Sequence, residues 1–354
     1  MTNLAIIVVS WNTRELLRRC IVSVHASLAG SGIDYSVIVV DNASSDDTSA
    51  MLRAEHPEVL LLEPGANLGF AGGNNYALRL LLHRQGDANT AGTHDSSSPH
   101  LPISPSPQYI MLLNPDTEVL GDALPQLVRY LDAHPDVAVV GPQLRYADGS
   151  SQPSRRRFPT PGVFFWESTP LETRWPNNPW AQGYRMADMP DDVEQAVGWL
   201  VGAALLVRRE AIERAGLLDE GFAMYSEELE WQERIQGNLR FAIYDWRLAQ
   251  RQSKIQNPKS KIVYFPSAVI IHHEGKSSEQ APARRYINFH QSRMRYARMC
   301  YGRAFAVLLR VFLLAAYDAE LLIEAGKWLL GHKRPLRAER MRVYGAVLRG
   351  LIKK

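Results

Sequence analysis

Cysteine is nearly missing from this chain of 354 residues: there are two, Cys20 and Cys300, far apart and with no paired metal-ligand spacing. Nothing in the cysteine pattern therefore suggests a disulfide framework or a zinc site. The start, MTNLAIIVVSW, has no basic segment and only a brief apolar run, so it reads as a first strand instead of a secretory signal and implies a cytoplasmic protein. Even the most apolar stretch, Ala304 to Tyr317, is interrupted by Arg310 and followed by Asp318, Glu320 and Glu324, which falls short of a plain membrane span. The glycine-rich stretch matches neither G-x-G-x-x-G nor G-x-x-x-x-G-K-[ST], which argues against a Rossmann dehydrogenase and a P-loop NTPase.

With 46% hydrophobic and 22% charged residues the composition is that of an ordinary globular protein, long enough for one large domain or two. The net charge of +3 hides an asymmetry. Residues 284–354 hold 16 Lys+Arg against 4 Asp+Glu, a surplus of +12, while the remainder holds 24 against 33, or −9. A basic tail on an acidic body suggests an anionic surface as partner for the tail.

Strands and helices alternate along the first half. Ala5 to Val9 reads as a buried strand. Asn12 with Glu15 resembles a capping box for a helix bearing Leu17, Cys20, Val24 and Leu28. Val37 to Val40 repeats the pattern, followed by the polar cluster Asp41 to Asp47 and a helix from about Thr48 that stops before Pro57. Val59 to Leu62 is a third strand. Such alternation predicts an α/β fold with a doubly wound, mostly parallel sheet whose strand-end loops share one rim. Ser10, Asn12, Asp41, Asn42 and Asp116 would lie on it.

Two stretches carry candidate chemistry on residue type alone. In YIMLLNPDTEV, Tyr109 to Leu113 reads as a strand buried on both faces; Pro115 ends it and leaves Asn114 and Asp116 at its carboxyl end, where open α/β sheets bind ligands. A carboxylate there suits a hard cation, Mg²⁺ or Mn²⁺, carrying a diphosphate; it equally suits an Asx turn. In Asn67-Leu68-Gly69-Phe70-Ala71-Gly72-Gly73-Asn74-Asn75, leading into a helical run from Tyr76, the glycines either admit a ligand close to the backbone or make a structural turn.

The motifs VVSWN, VVDNASSDDT, NLGFAGGNN and LLNPDTEV, in this order, resemble the nucleotide-binding half of the family 2 inverting glycosyltransferases of GT-A fold, most closely the rhamnosyltransferase-like branch that builds cell-surface polysaccharides. The resemblance covers about residues 4–275. It implies that Asp41 sits by the pyrimidine of a UDP- or dTDP-sugar donor, that Asn67 and the residues after it, among them Gly69, Gly72 and Asn74, line the nucleotide pocket with Asn114, and that Asp116 belongs to the metal-binding motif. The chain departs from many relatives in carrying one aspartate where they have Asp-x-Asp.

The later half is less regular. Val137 to Gly141 reads as a strand, and Gln143 to Asp192 loses periodicity; its arginines Arg155-Arg156-Arg157 either hold an acceptor's phosphates or form a solvated loop, the reading preferred here. Trp199 to Val207 reads as one buried strand. In Tyr225-Ser226-Glu227-Glu228-Leu229-Glu230, Ser226 is a candidate cap for a helix with acids in its first turn and a Glu230–Arg234 pair. The resemblance implies a sharper role: relatives carry Glu-Asp-x-Asp here, and the aspartate after the glutamate is the general base, a role that falls on Glu228. Ile262 to Pro266 and Ala268 to Ile271 read as two strand pieces. They end at His272-His273, where the resemblance implies that His273 is the second metal ligand. Segments 85–108 and 245–261 read as insertions.

From about Ala283 the chain is helical, either one or two helices lying on an anionic membrane or a pair packed on the body. The expected organisation is a catalytic domain over 1–280, in halves of about 1–142 and 143–280, and a basic helical extension over 281–354. The expected activity is inverting transfer of a sugar, rhamnose among the candidates, to a lipid-linked or polysaccharide acceptor at the inner face of the plasma membrane, with no nucleic-acid partner. The rivals are a nucleotidyltransferase and a nucleotide-sugar-binding protein without catalysis.

Overall fold

The structure, a computed structural model, describes residues 3–82, 107–237, 260–273 and 282–352. The expected insertions 85–108 and 245–261, apart from the last two residues of each, lie outside the described residues.

β1 (Asn3–Ser10), β2 (Asp34–Asp41), β3 (Leu60–Leu62) and β4 (Tyr109–Leu113) are parallel neighbours in the order β3-β2-β1-β4. They are connected through α1 (Arg14–Leu28), α2 (Thr48–Glu55) and α3 (Gly69–Leu82). The chain leaves β1 toward β2 and β3 and returns to add β4 on the other side. A crevice therefore forms between the ends of β1 and β4, where such sheets bind ligands. The expectation of uniformly apolar strands holds because both faces are covered: every residue of β4 is buried.

The sheet continues through β10 (Ala204–Arg208), which is antiparallel to both neighbours, then β6 (Val137–Arg145), β11 (Lys261–His272) and β5 (Thr117–Val119). One face packs α1, α2 and α4 (Ala123–Ala133) through Leu17, Ile21, Val24, Leu124 and Leu127. The other packs α3, α8 (Arg209–Ala215) and α9 (Glu227–Ile235) through Leu78, Leu81, Ile212, Trp231 and Ile235. This is the doubly wound, mostly parallel α/β architecture that the sequence predicts, with flanking helices.

Several local expectations fail for identifiable reasons. The run from Trp199 to Val207 is two strands, β9 (Trp199–Leu200) and β10, separated by a turn in which Ala203 O accepts from Asn114 N at 2.9 Å. The two pieces around Pro266 are one strand, β11, with a register shift between Phe265 and Val269. The capping box at Asn12 does not form: Thr13 precedes α1, and Asn12, at φ 53°, instead accepts from Ser45 N at 2.7 Å and donates its own N–H to Ser44 Oγ at 2.9 Å. Ser226 occupies the cap position of α9 at φ 69° but makes no side-chain cap bond. The pair Glu230–Arg234 is present at 2.6 Å, with Glu230 buried.

A second body of apolar packing joins α5 (Val163–Trp166), α6 (Pro170–Arg174) and α7 (Pro179–Tyr184) to a C-terminal helical hairpin. That hairpin is α10 (Pro282–Leu329), kinked at Gly302 with φ 83°, and α11 (Arg334–Ile352). Leu309, Leu313 and Tyr317 pack with Val347 and Leu351, and Phe312 meets Phe165 edge-on at 5.0 Å. The hairpin is thus packed on the body. Among the described residues, no helix is long and apolar enough to cross a membrane.

Candidate active site

The turn after β4 is braced from every side. Asn114 N donates to Ala203 O, Asn114 O accepts from Thr117 Oγ1 at 2.8 Å, and Asp116 O accepts from His273 N at 2.9 Å. Cys20 lies beneath it, its Sγ 3.4 Å from Thr117 Oγ1, with burial pushing the thiol up to about 12, so it stays an inert thiol. The brace leaves the Asp116 side chain 8% exposed and facing His272, whose Nε2 is 3.4 Å from Asp116 Oδ1.

The histidine beside Asp116 is therefore His272 and not His273, which corrects the expectation. His272 pairs with Thr117 across the sheet, and successive residues of a strand point to opposite sides, so the ring of His273 is carried to Glu118 Oε1, 2.8 Å away. His272 is also oriented by Gln152 Oε1, 3.0 Å from its Nδ1. A separation of 3.4 Å suits two ligands of one cation at about 2.1 Å each, and imidazole with carboxylate and diphosphate oxygens is a donor set that fits Mn²⁺ or Mg²⁺. Asp116 and His272 fit such an ion as a partial site that a diphosphate would complete.

At the ends of β1 and β2, Ser10 and Asp41 are paired in register and both buried. The Asp41 carboxylate accepts from Ser44 N at 3.2 Å and Ser49 Oγ at 2.8 Å, which fixes the loop, as does Asn12. Asn42 ties this loop to the glycine-rich stretch, donating from Nδ2 to Gly69 O at 3.1 Å. Asn67 is exposed and accepts from Gly69 N at 2.9 Å.

The glycines behave differently from the expectation of a ligand-facing loop. Gly69 begins α3 at φ 71°, but Gly72 and Gly73 are buried inside the helix. A Cβ on Gly73 would lie 2.6 Å from Val9 Cγ1, so Gly73 lets α3 pack against β1, and one on Gly72 would lie 2.9 Å from Leu68 Cβ, so Gly72 makes room for the turn that leads into the helix. Asn74 is likewise turned inward, donating to Phe70 O at 3.0 Å. Gly72 and Asn74 are thus both engaged in packing.

Glu228 stands at the start of α9 against the β9–β10 turn. A Cβ on Gly202 would lie 3.3 Å from Glu228 Cγ and equally close to Phe70, and Ala203, the next residue, carries the bond to Asn114. Gly202 to Asn114 thus links the acid to the metal-site turn. Beside Glu228 lies Glu227, 3% exposed, and each carboxyl has its Oε2 buried without a hydrogen-bond partner among the described residues. Burial raises Glu228, opposed by neighbouring backbone N–H groups; burial and then the Glu228 charge raise Glu227 to about 8. Two adjacent carboxyls, Glu227 buried and Glu228 partly so, resist ionising together, so the pair takes up a proton more readily than free glutamates do. Sequence reasoning did not single out this partnership, because a neighbour in sequence on a helix ordinarily faces elsewhere.

That proton has a consequence for stability. A carboxyl raised from 4.5 to about 8 in the folded state contributes fully below its unfolded value, and the contribution is lost as pH rises toward 8. Glu227→Gln, which mimics the neutral acid, is expected to raise Tm over the unsubstituted protein at pH 9 and to change it little at pH 5. Thermal unfolding at both values checks this; an equal difference at the two would exclude Glu227 as the buried acid.

The three arginines, expected as a solvated loop, are individually engaged. Arg155 is buried, donates to Met189 O at 2.6 Å and stacks on Tyr264; Arg157 pairs with Asp188 at 2.7 Å; Arg156 lies over Tyr184. The reason is β7 (Arg155–Arg156), which pairs with β9 and draws the segment inward beside the site.

Residues 5–84 match the family model described as glycosyl transferase family 2. Over 257 residues, 73% of this chain and 72% of the relative, the sequence is 30% identical to an N-acetylglucosaminyl-diphospho-decaprenol L-rhamnosyltransferase of Mycobacterium tuberculosis. It is 21% identical over 231 residues, 65% of this chain and 61% of the relative, to a low-salt glycan biosynthesis hexosyltransferase of Haloferax volcanii. Among solved structures, a mannosyltransferase from Pyrobaculum calidifontis in complex with GDP-Man and Mn²⁺ superposes with a TM-score of 0.47 and 16% identity, covering 99% of this chain and 86% of that one.

Proposed function

The chain belongs to glycosyl transferase family 2, and from that premise we propose that it moves a sugar from a nucleoside diphosphate, UDP or dTDP, to a lipid-linked saccharide with inversion at the anomeric carbon. The name of the Mycobacterium relative favours L-rhamnose as the sugar and a diphospho-lipid saccharide as the acceptor. One observation carries the reading: Glu228, next to the buried Glu227, packs against Gly202, and the following residue, Ala203, is hydrogen-bonded to Asn114 in the turn of Asp116, so the acid and the partial cation site adjoin one turn. Residues 1–280 would be the catalytic domain and 281–354 its extension.

In this mechanism Glu228 takes the proton of the acceptor hydroxyl as it attacks the anomeric carbon from the face opposite the leaving diphosphate. A raised pKa strengthens it as a base near neutral pH, and a proton on Glu227, raised to about 8, spares the site a second negative charge. Asp116 and His272 would hold a Mg²⁺ or Mn²⁺ ion, which when bound neutralises charge on the diphosphate. Asp41, Asn42 and Asn67 would shape the nucleotide end of the cleft. Binding of a panel of UDP-, dTDP- and GDP-sugars tests the donor. A dTDP- or UDP-sugar should bind in the presence of Mn²⁺, and preference for a GDP-sugar would overturn the donor assignment.

The same proposal places the enzyme on the inner face of an anionic membrane, where a lipid-linked acceptor is presented. The outward stripe of α10, with Val307, Leu308, Val311 and Leu322 exposed, ends in a hairpin tip where Leu329 and Leu330 are 70% and 87% exposed. Lys327, Lys333 and Arg334 flank the tip, Arg334 stacking on Trp328 at 5.3 Å. Apolar side chains ringed by cations suit an interfacial anchor. Leu329→Glu/Leu330→Glu is expected to abolish cosedimentation with anionic vesicles while leaving Tm unchanged; undiminished sedimentation would reject the anchor.

A further inference from the structure

The cysteine pattern gives no sign of a zinc site, yet the fold assembles a different set of ligand groups, two imidazoles and a carboxylate, at the far end of the sheet. His25 comes from the last turn of α1, His56 caps the end of α2, and Glu58 follows in the loop before β3. One nitrogen of each imidazole and a Glu58 oxygen all lie within 4.8 Å of one another. Tyr35, at the beginning of β2, supports the group from behind, its hydroxyl 2.7 Å from His25 Nδ1. Because β2 runs from Asp34 to Asp41, this cluster is on the rim opposite Asp41 and the nucleotide crevice.

The geometry points to a ligand. His25 Nε2 is 3.0 Å from Glu58 Oε1, close enough for a strong hydrogen bond, but it lacks hydrogen-bonding geometry. His56 Nε2 is also buried without a partner among the described residues, and the His56 side chain is only 11% exposed. His56 Nδ1 lies 3.3 Å from the same Glu58 Oε1, so one carboxylate oxygen stands between two imidazole nitrogens, a convergence that the donors of one cation present. With Nδ1 engaged by the Tyr35 hydroxyl, Nε2 is the nitrogen of His25 that faces Glu58, and a second-shell contact of this kind is usual for a metal-bound imidazole. Glu58 is 49% exposed, so the site is open on one side for entry and for a fourth, exogenous ligand.

We propose that His25, His56 and Glu58 form a Zn²⁺ site, separate from the active site, that clamps the ends of α1 and α2 to the loop entering β3. Two imidazoles and a carboxylate suit Zn²⁺ in tetrahedral geometry and disfavour the harder Mg²⁺, which prefers an all-oxygen shell. The clamp does not depend on the proposed transferase reaction.

The test uses the full-length protein stripped with chelator and titrated with Co²⁺ as a spectroscopic stand-in, then with Zn²⁺ by calorimetry. One equivalent of Co²⁺ should give the visible bands of a tetrahedral site and be displaced by Zn²⁺. His56→Ala and the surface change Glu58→Ala should each weaken Zn²⁺ binding at least tenfold, Tyr35→Phe about tenfold, and Asp116→Ala not at all, since it lies on the other rim. Zn²⁺ should raise the Tm of the unsubstituted protein and not that of Glu58→Ala. No saturable Zn²⁺ binding, or binding unchanged by Glu58→Ala and His56→Ala, would overturn the proposal.

Discussion

Glu228→Gln is expected to lower turnover by about 10²–10⁴-fold, roughly 3–5 kcal/mol of barrier, while the apparent affinity for the donor changes little. The substitution keeps size and hydrogen bonding and removes proton affinity, and a general base acts in the transition state, not in ground-state binding. Because burial raises the Glu228 carboxyl above the ordinary range, kcat of the unsubstituted enzyme should fall as pH drops through a pKa higher than that of a free glutamate, and this limb should vanish in the variant. Glu230 is the control. It is spent on Arg234, which also binds the carbonyl of Leu217, so Glu230→Gln should cost stability more than catalysis. If Glu228→Gln kept near-normal turnover and Glu230→Gln lost it, the base would be misassigned.

Asp116→Ala is expected to remove metal-dependent donor binding with the fold intact. The turn that carries Asp116 is held by main-chain bonds from Ala203 and His273 and by Thr117, none of which needs the carboxylate. His272→Ala should weaken Mn²⁺-supported binding in the same direction, and His273→Ala much less, because the His273 ring is engaged by Glu118. Calorimetry with donor and Mn²⁺ separates these outcomes. Unchanged metal-supported affinity in Asp116→Ala would end its assignment as a ligand.

The parallel half of the sheet was legible in the sequence because its strands are buried on both faces, so β1, β2 and β4 appear as unbroken apolar runs bounded by polar turns. Other features depend on partners distant in sequence. Nothing local distinguishes His272 from His273; the register with Thr117 and the position of Gln152 decide it. The glycines of α3 have a purpose visible only once Val9 is placed behind them. Arg155 owes its burial to carbonyls at Met186 and Met189. The break between β9 and β10 follows from the approach of Gly202 to Glu228 and Phe70, which periodicity does not record. His25, His56 and Glu58 come from three elements and present no contiguous motif. The four motifs that carry the family resemblance, by contrast, are each local to a strand end.

The central claim is transfer of a sugar with release of a nucleoside diphosphate. The most direct measurement incubates the full-length protein with a donor that binds, Mn²⁺ and a short-chain diphospho-lipid saccharide, and follows the phosphorus-containing product by chromatography. The account predicts acceptor-dependent release of UDP or dTDP together with a glycosylated lipid. Release of pyrophosphate, the mark of a nucleotidyltransferase, or donor binding with no turnover of any donor and acceptor pair, would contradict it.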